Sequence, residues 1–216
     1  MPSAIFSHQA PGLALKIKYP HKFDGTALCI SAIVPDLLSL FGPFFAFTLR
    51  NFTHSILGVI FSTVPLTIIL TVIFCTYIGP FCAKLAKKNG FLSRPLRYMG
   101  METWDNLKKK KYNRRFFLVA TYSAFIGGFT HLLLDLPSHE YIEIFFPWVI
   151  LQNPDFLLYS IIDFGSTTIG TIQIDRNLTV FQLIWFIETL ITLVLALYFL
   201  RYMKNRNLIS KWYDKT

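Results

Sequence analysis

Long apolar stretches alternate with shorter polar segments along the whole chain. A membrane crossing takes about 20 consecutive apolar residues in a helix. Four stretches reach that length, and they cover residues 26–49, 55–83, 116–136 and 179–203. The pattern predicts an all-α fold, in which residues 1–216 form a single polytopic transmembrane helix bundle with about four full spans.

Two further apolar stretches do not fit a full crossing. Residues 141–151 are too few, and residues 156–172 are interrupted by Asp163, Gly165 and Ser166. Backbone inside a bilayer must satisfy its own hydrogen bonds or lie within protein. We therefore expect short or re-entrant helices packed inside the bundle at these two places.

The composition and the position of the charges agree with a membrane location. Apolar residues make up 53% of the chain and charged residues only 15%, against about 25% charged residues in soluble domains. Most of the 21 Lys and Arg residues lie between residues 84 and 115 or from Arg201 onward. Because no nucleic-acid-binding motif accompanies them, the net charge of +9 indicates membrane topology rather than a nucleic-acid partner.

Basic segments stay on the cytoplasmic side of a membrane, which constrains the topology. The loop over residues 84–115 and the C-terminal tail are both predicted to be cytoplasmic, so an even number of crossings separates them. Residues 137–178 then contribute either zero or two crossings, and zero is preferred. The same basic loop is a candidate surface for anionic lipids of the bilayer.

An ionisable side chain inside a span is costly and usually faces the interior of the bundle. His131 and Asp135 are four residues apart, so a helix places both on one face with about 5–6 Å between their Cβ atoms. Two side chains on adjacent turns can bind one metal ion. A direct His–Asp hydrogen bond that satisfies two buried polar groups explains the same spacing.

Other polar side chains fall at similar depths in the predicted topology. Asp36 follows Pro35 inside the first span, His54 lies at the start of the second, and His139 lies just beyond the third. His54 and His139 are predicted to lie in the outer half of the membrane together with the 131–135 pair, and Asp36 is predicted to lie slightly deeper. His8 joins them only if the mildly apolar N-terminal segment inserts, and otherwise it lies on the other side.

Several short motifs, taken in order, suggest a family. They are Ser7-His8, Ile33-Val34-Pro35-Asp36, Thr53-His54-Ser55, Gly127-Gly128-Phe129-Thr130-His131-Leu132-Leu133-Leu134-Asp135 and Gly165-Ser166-Thr167. Over nearly its whole length the sequence resembles the prokaryotic membrane family catalogued as domain of unknown function 4184. Its motifs are also similar to those of bacterial inner-membrane proteins classed as metal-dependent hydrolases.

The resemblance implies a multi-pass protein of a prokaryotic inner or plasma membrane, with a His/Asp cluster inside a helical bundle. It implies a candidate set consisting of His8, Asp36, His54, His131, Asp135 and His139. We expect Asp36, His54, His131 and Asp135 to bind a divalent metal, with zinc favoured, and His8 or His139 to act as a catalytic group.

Two functions remain open at this stage. In the first, the protein is a membrane-embedded metal-dependent hydrolase, and its substrate is amphiphilic, such as a lipid or a lipid phosphoester. In the second, the protein is not an enzyme, and the His/Asp cluster is structural or serves ion or proton passage.

Overall fold

The computed structural model describes residues 7–39, 41, 49–91, 93–138, 143–148, 154–169 and 172–211. Across these residues the chain is mostly helical, with one small antiparallel sheet. The helices are α1 (Ala10–Lys18), α2 (Gly25–Ser31), α3 (Val34–Ser39), α4 (Leu49–Thr53), α5 (Ile56–Lys87), α6 (Ser93–Tyr98), α7 (Arg114–Asp135) and α8 (Val180–Asn205). Short 3₁₀ helices cover Ser7–Gln9, Met101–Lys109, Leu136–Ser138 and Asp155–Leu158, and the strands are β1 (Ser160–Ile169) and β2 (Ile172–Thr179).

Three helices among the described residues are long and apolar enough to cross a membrane, namely α5, α7 and α8. They coincide with the second, third and fourth apolar stretches of the sequence. Helix α5 contains two π-helical turns, at Val59–Thr63 and Phe74–Ile78. The length and composition of the three long helices, and the exposed apolar side chains along them, indicate a membrane protein.

The first apolar stretch does not form one continuous helix. It is divided into α2 and α3, which are separated at Ala32 and Ile33. Pro35 contributes to the break, because it has no backbone N–H to donate to the carbonyl one turn earlier. Residues 40 and 42–48 of the predicted span lie outside the described residues. The number of crossings therefore stays a prediction.

The prediction of a short or re-entrant helix over residues 156–172 is wrong. Of the described residues there, only those of Asp155–Leu158 are helical, and β1 and β2 pair as a hairpin, with Ser160 paired to Thr179 and Ile169 to Ile172. The sequence reason lies in the β-branched Ile and Thr residues, which favour a strand. Of the predicted helix over 141–151, the described residues 143–148 form turns and a Phe145–Trp148 bridge.

Small residues bring α2 and α7 into close contact. Gly127 of α7 lies so near α2 that a Cβ atom there would be 2.1 Å from the Ser31 hydroxyl and 2.5 Å from the Leu28 carbonyl. Buried Ala27 and Ala120 continue the contact along the two helices. This packing places α2 directly beside the part of α7 from Ala120 to Gly127.

A buried ion pair lies near the opposite end of α7. The Lys110 ammonium contacts both carboxylate oxygens of Asp24 at 2.8 and 3.1 Å, and both side chains are almost fully buried. The backbone N–H of Asp24 donates to the Ser123 hydroxyl, and its carboxylate accepts from the Ala27 N–H as the N-cap of α2. The pair therefore fixes the start of α2 against α7.

The N-terminal segment packs inside the protein. Ala10 and Leu13 of α1 lie in a core cluster with Ala196 and Met203 of α8. At the end of α1, the Lys16 ammonium donates to the carbonyls of Pro20, Phe23 and Lys211. The first and last described parts of the chain are thus joined.

The Gly127 contact yields a stability prediction. In Gly127→Ala the new methyl group would overlap Ser31 and the α2 backbone, and such overpacking costs about 1–3 kcal/mol. We expect a clearly lower thermal midpoint in detergent, followed by circular dichroism. Gly90→Ala is the matched control, because no atom lies within 4 Å of a Cβ at that position. Equal midpoints for the two variants would contradict the close approach.

A second prediction concerns the buried ion pair. Lys110→Met leaves the Asp24 carboxylate buried without its main partner, and removing one member of such a pair costs about 3–5 kcal/mol of unfolding free energy. The double variant Asp24→Asn/Lys110→Met should be less destabilised than Lys110→Met alone. Additive losses in denaturant titrations of the two single variants and the double variant would contradict the coupling.

The pH dependence of the same pair has a defined sign. Burial by itself raises the pKa of Asp24, but Lys110, the Ala27 N–H and Lys16 together hold the pKa below its usual value. The stabilisation is therefore complete above the ordinary carboxyl pKa of about 4 and is lost as the pH falls below it. In Lys110→Met the Asp24 carboxyl loses the partner that most lowers its pKa, so we expect thermal midpoints measured across acidic pH to fall less than in the natural chain.

Candidate functional site

Four predicted site residues from three parts of the chain meet at one point. Asp36 lies on α3, His54 lies in the turn between α4 and α5, and His131 and Asp135 lie on the last turns of α7. One ligand atom from each of the four lies within 4.8 Å of all the others. His54, His131 and Asp135 are buried and Asp36 is partly buried, so the cluster is largely shielded from solvent.

The orientation of the His131 ring is set by the break between α2 and α3. Its Nδ1 lies 2.9 Å from the carbonyl oxygen of Ala32. A carbonyl only accepts hydrogen bonds, so Nδ1 carries a proton and donates it. In the neutral ring the lone pair is then on Nε2, which is fully buried and makes no hydrogen bond.

His54 is oriented in the same way by a different element. Its Nδ1 lies 3.1 Å from the Arg50 carbonyl of α4 and 3.2 Å from the Thr53 hydroxyl, and its Nε2 is directed at the carboxylates, 3.3 Å from Asp36 Oδ1. Close packing fixes the turn, because a Cβ on Gly58 would be 1.9 Å from the Phe52 carbonyl. The Ser55 hydroxyl caps α5 by accepting from the Gly58 N–H. Backbone carbonyls that orient histidine rings are typical of the outer shell of metal sites.

Three distances between the potential ligand atoms match those around a tetrahedral ion. His54 Nε2 lies 3.3 Å from Asp36 Oδ1 and 3.4 Å from Asp135 Oδ2, and His131 Nε2 lies 3.4 Å from Asp135 Oδ2 and 3.9 Å from Asp36 Oδ1. Zinc bonds of about 2.0–2.2 Å in a tetrahedron place neighbouring ligand atoms about 3.3–3.6 Å apart. Three of these four distances therefore match an edge of the tetrahedron.

The electrostatics of the cluster call for positive charge at its centre. Two neutral imidazoles would direct lone pairs at carboxylate oxygens, and these are acceptors that repel each other. A divalent cation between them removes the repulsion, and so do added protons that convert the histidines to imidazolium ions. The cluster can thus act either as a metal site or as a buried ion-pair network.

His8 also lies at the cluster, because the N-terminal segment packs inside the protein. Its Nε2 is 3.5 Å from Asp135 Oδ1, and its ring centroid is 4.5 Å from that of His131. The ring is buried, and its Nδ1 makes no hydrogen bond. Of the predicted residues, His139 alone lies outside the described part of the chain.

Sequence reasoning missed two sets of buried polar residues. One is the charged group formed by Lys16, Asp24 and Lys110. The other consists of Thr63, Thr67 and Thr71, which are fully buried on α5 and whose hydroxyls make no hydrogen bond. Their spacing of four residues is visible in the sequence and places them on one face of a helix. Thr is uncharged, however, so hydropathy does not distinguish these positions from the rest of an apolar span.

Comparison with known proteins gives a family. A family model described as "Domain of unknown function (DUF4184)" matches residues 1–212. The chain belongs to this family. No curated protein matches the chain, and no solved structure does. Because the family description states no activity, any function must be argued from the cluster itself.

Proposed function

We propose that this DUF4184 protein is a membrane-embedded, metal-dependent hydrolase that acts on an amphiphilic substrate, a lipid or a lipid phosphoester. It would be a multi-pass protein of a prokaryotic inner or plasma membrane, with the basic residues 84–115 and the C-terminus cytoplasmic. The observation that carries the proposal is the set of near-tetrahedral distances among Asp36, His54, His131 and Asp135.

Each residue has a defined part in this proposal. His54 and His131 would present Nε2 lone pairs to the ion while their Nδ1–H groups donate to the backbone carbonyls of Arg50 and Ala32. Asp36 and Asp135 supply the negative charge that a divalent cation needs. Zinc bound there would polarise the ester and lower the pKa of a water molecule to about 7.

His8 is suited to moving the proton in this reaction. It contacts Asp135 through Nε2, while its Nδ1 has no hydrogen-bond partner and can exchange a proton with the reacting groups. We therefore assign it the general acid–base role.

The substrate class follows from the surroundings of the cluster. α5, α7 and α8 expose many apolar side chains along their lengths, so the site lies within a protein that faces lipid on several sides. A substrate that partitions into the bilayer reaches such a site without crossing an aqueous phase. This supports a lipid ester or phosphoester over a soluble metabolite.

Metal analysis and hydrolysis assays test the proposal together. We expect about one zinc ion per purified chain, which His131→Ala and Asp135→Ala lose because each removes one of four ligands. Hydrolysis of lipid phosphoesters in mixed micelles should stop with a chelator and return with zinc. His8→Ala should retain the metal and lower kcat by about 10²–10⁴-fold, as expected for loss of an acid–base group.

His21→Ala is the control, since this histidine is exposed and lies outside the cluster. It should retain both metal and activity. The proposal fails if no stoichiometric metal binds, or if the alanine variants at residues 131 and 135 bind it as the natural chain does. Metal that binds without any hydrolysis would favour a structural role for the cluster.

Proton passage is a second candidate function, and the buried threonines favour it. Thr63, Thr67 and Thr71 follow one another at one turn of α5, about 6 Å apart along the axis. Thr63 packs on Gly128, one turn before His131, while Cys75, one turn beyond Thr71, contacts Thr26, which accepts from Lys110. Buried hydroxyls without partners are costly unless water pairs with them.

Liposomes loaded with a pH-sensitive dye test this second candidate. If the threonine row carries protons, the reconstituted protein accelerates dye acidification, and Thr67→Val reduces the rate to that of empty liposomes, because valine keeps the shape and removes the hydroxyl. Thr76→Val is the matched control on the same helix, since Thr76 contacts Tyr112 on an exposed face. Equal rates with and without protein would remove this candidate.

A further inference from the structure

A cavity of about 340 Å³ lies between the N-terminal segment and the long helices. Its apolar wall includes Leu13, Ile30, Ile33, Phe74, Leu200 and Met203, from α1, α2, α5 and α8 and from the turn that follows α2. Ligand cavities in proteins commonly measure about 300–1,000 Å³ and are mostly apolar with a few polar groups. The size and lining thus suit one flexible hydrocarbon chain.

The 3₁₀ helix Met101–Lys109 closes one side of this cavity. Residues three apart in a 3₁₀ helix lie above one another on the same face. Met101, Trp104 and Leu107 follow this spacing and line the cavity, and Lys110 follows at the same interval. The intervening Lys108 and Lys109 are exposed. Residues 101–110, called the basic segment below, are therefore amphipathic, with their apolar face on the cavity.

The polar part of the wall carries a net positive charge. It contains Lys16, Asp24 and Lys110, in which two ammonium groups face one carboxylate. Burial lowers the pKa of Lys16 to about 8, so most of this side chain remains charged at pH 7. Both ammonium groups already have hydrogen-bond partners, so their attraction for an anion acts through space.

We propose that this cavity binds one acyl chain of an anionic phospholipid, with its headgroup beside the lysines of the basic segment. The apolar wall takes the hydrocarbon, while the buried net charge and the exposed Lys108, Lys109 and Lys211 attract the phosphate. Trp104 at the wall is suited to the boundary between hydrocarbon and headgroup. The site does not involve the His/Asp cluster and does not depend on metal binding.

Fluorescence quenching of Trp104 tests the proposal on the full chain in detergent. The probes are phosphatidylglycerol and phosphatidylcholine, each with a nitroxide in the middle of one acyl chain. The Trp104 signal is the difference between the natural chain and Trp104→Phe. We expect phosphatidylglycerol to quench it at about fivefold lower concentration, the preference that one net charge near a membrane surface gives.

Two substitutions that add a similar volume test whether the quenching lipid lies in the cavity. Ile33→Phe extends into the cavity and should reduce quenching by both lipids, whereas Leu190→Phe lies on the exposed face of α8 and should leave it unchanged. The thermal midpoints of the two variants show whether either has lost its fold. The comparison of the two lipids is made on the natural chain and does not depend on these variants. Equal quenching by both lipids would overturn the proposal, as would a nitroxide-labelled fatty acid that quenches where phosphatidylglycerol does not.

Discussion

The hydrogen bond between His131 Nδ1 and the Ala32 carbonyl links α7, which carries His131 and Asp135, to the chain break before α3, which carries Asp36. It can form only because the first apolar stretch breaks at Ala32 and because Gly127 lets α2 approach α7 without an intervening side chain. An unbroken helix would use that carbonyl within its own ladder. One backbone acceptor therefore sets the ring orientation of His131 and, with it, the position of the free Nε2.

Two groups of buried ionisable side chains lie near opposite ends of α7. Near the C-terminal end of α7 lies the His/Asp cluster, and near its N-terminal end lies the Lys110–Asp24 pair. The two groups differ in how completely their polar atoms are hydrogen-bonded. Asp24 has charged and backbone donors around its carboxylate, whereas His131 Nε2 faces acceptors and makes no hydrogen bond. A fully paired group stabilises a fold, while a buried acceptor without a donor costs free energy unless a further partner satisfies it.

Hydropathy predicted α5, α7 and α8 well, because long apolar runs have few alternatives in a bilayer. The spacing of His131 and Asp135 was readable for a similar reason, since helical geometry fixes which residues share a face. Hydropathy does not predict the β1–β2 hairpin, because an interrupted apolar run of Ile and Thr is compatible with either a short helix or a strand. In the sequence Lys110 is one charge of a basic loop, and only the tertiary fold pairs it with Asp24, 86 residues away.

The position of His8 shows most clearly where sequence reasoning ends. The N-terminal segment is too short and too weakly apolar for hydropathy to predict that it packs inside the protein. Its packing depends on polar contacts at both ends: His8 meets Asp135, and Lys16 donates to three backbone carbonyls, including that of Lys211. Asp135 belongs to α7 and Lys211 follows α8, so only the folded chain brings these two partners to the segment. The segment that completes the His/Asp cluster is therefore positioned by the same fold that forms the charged wall of the lipid cavity.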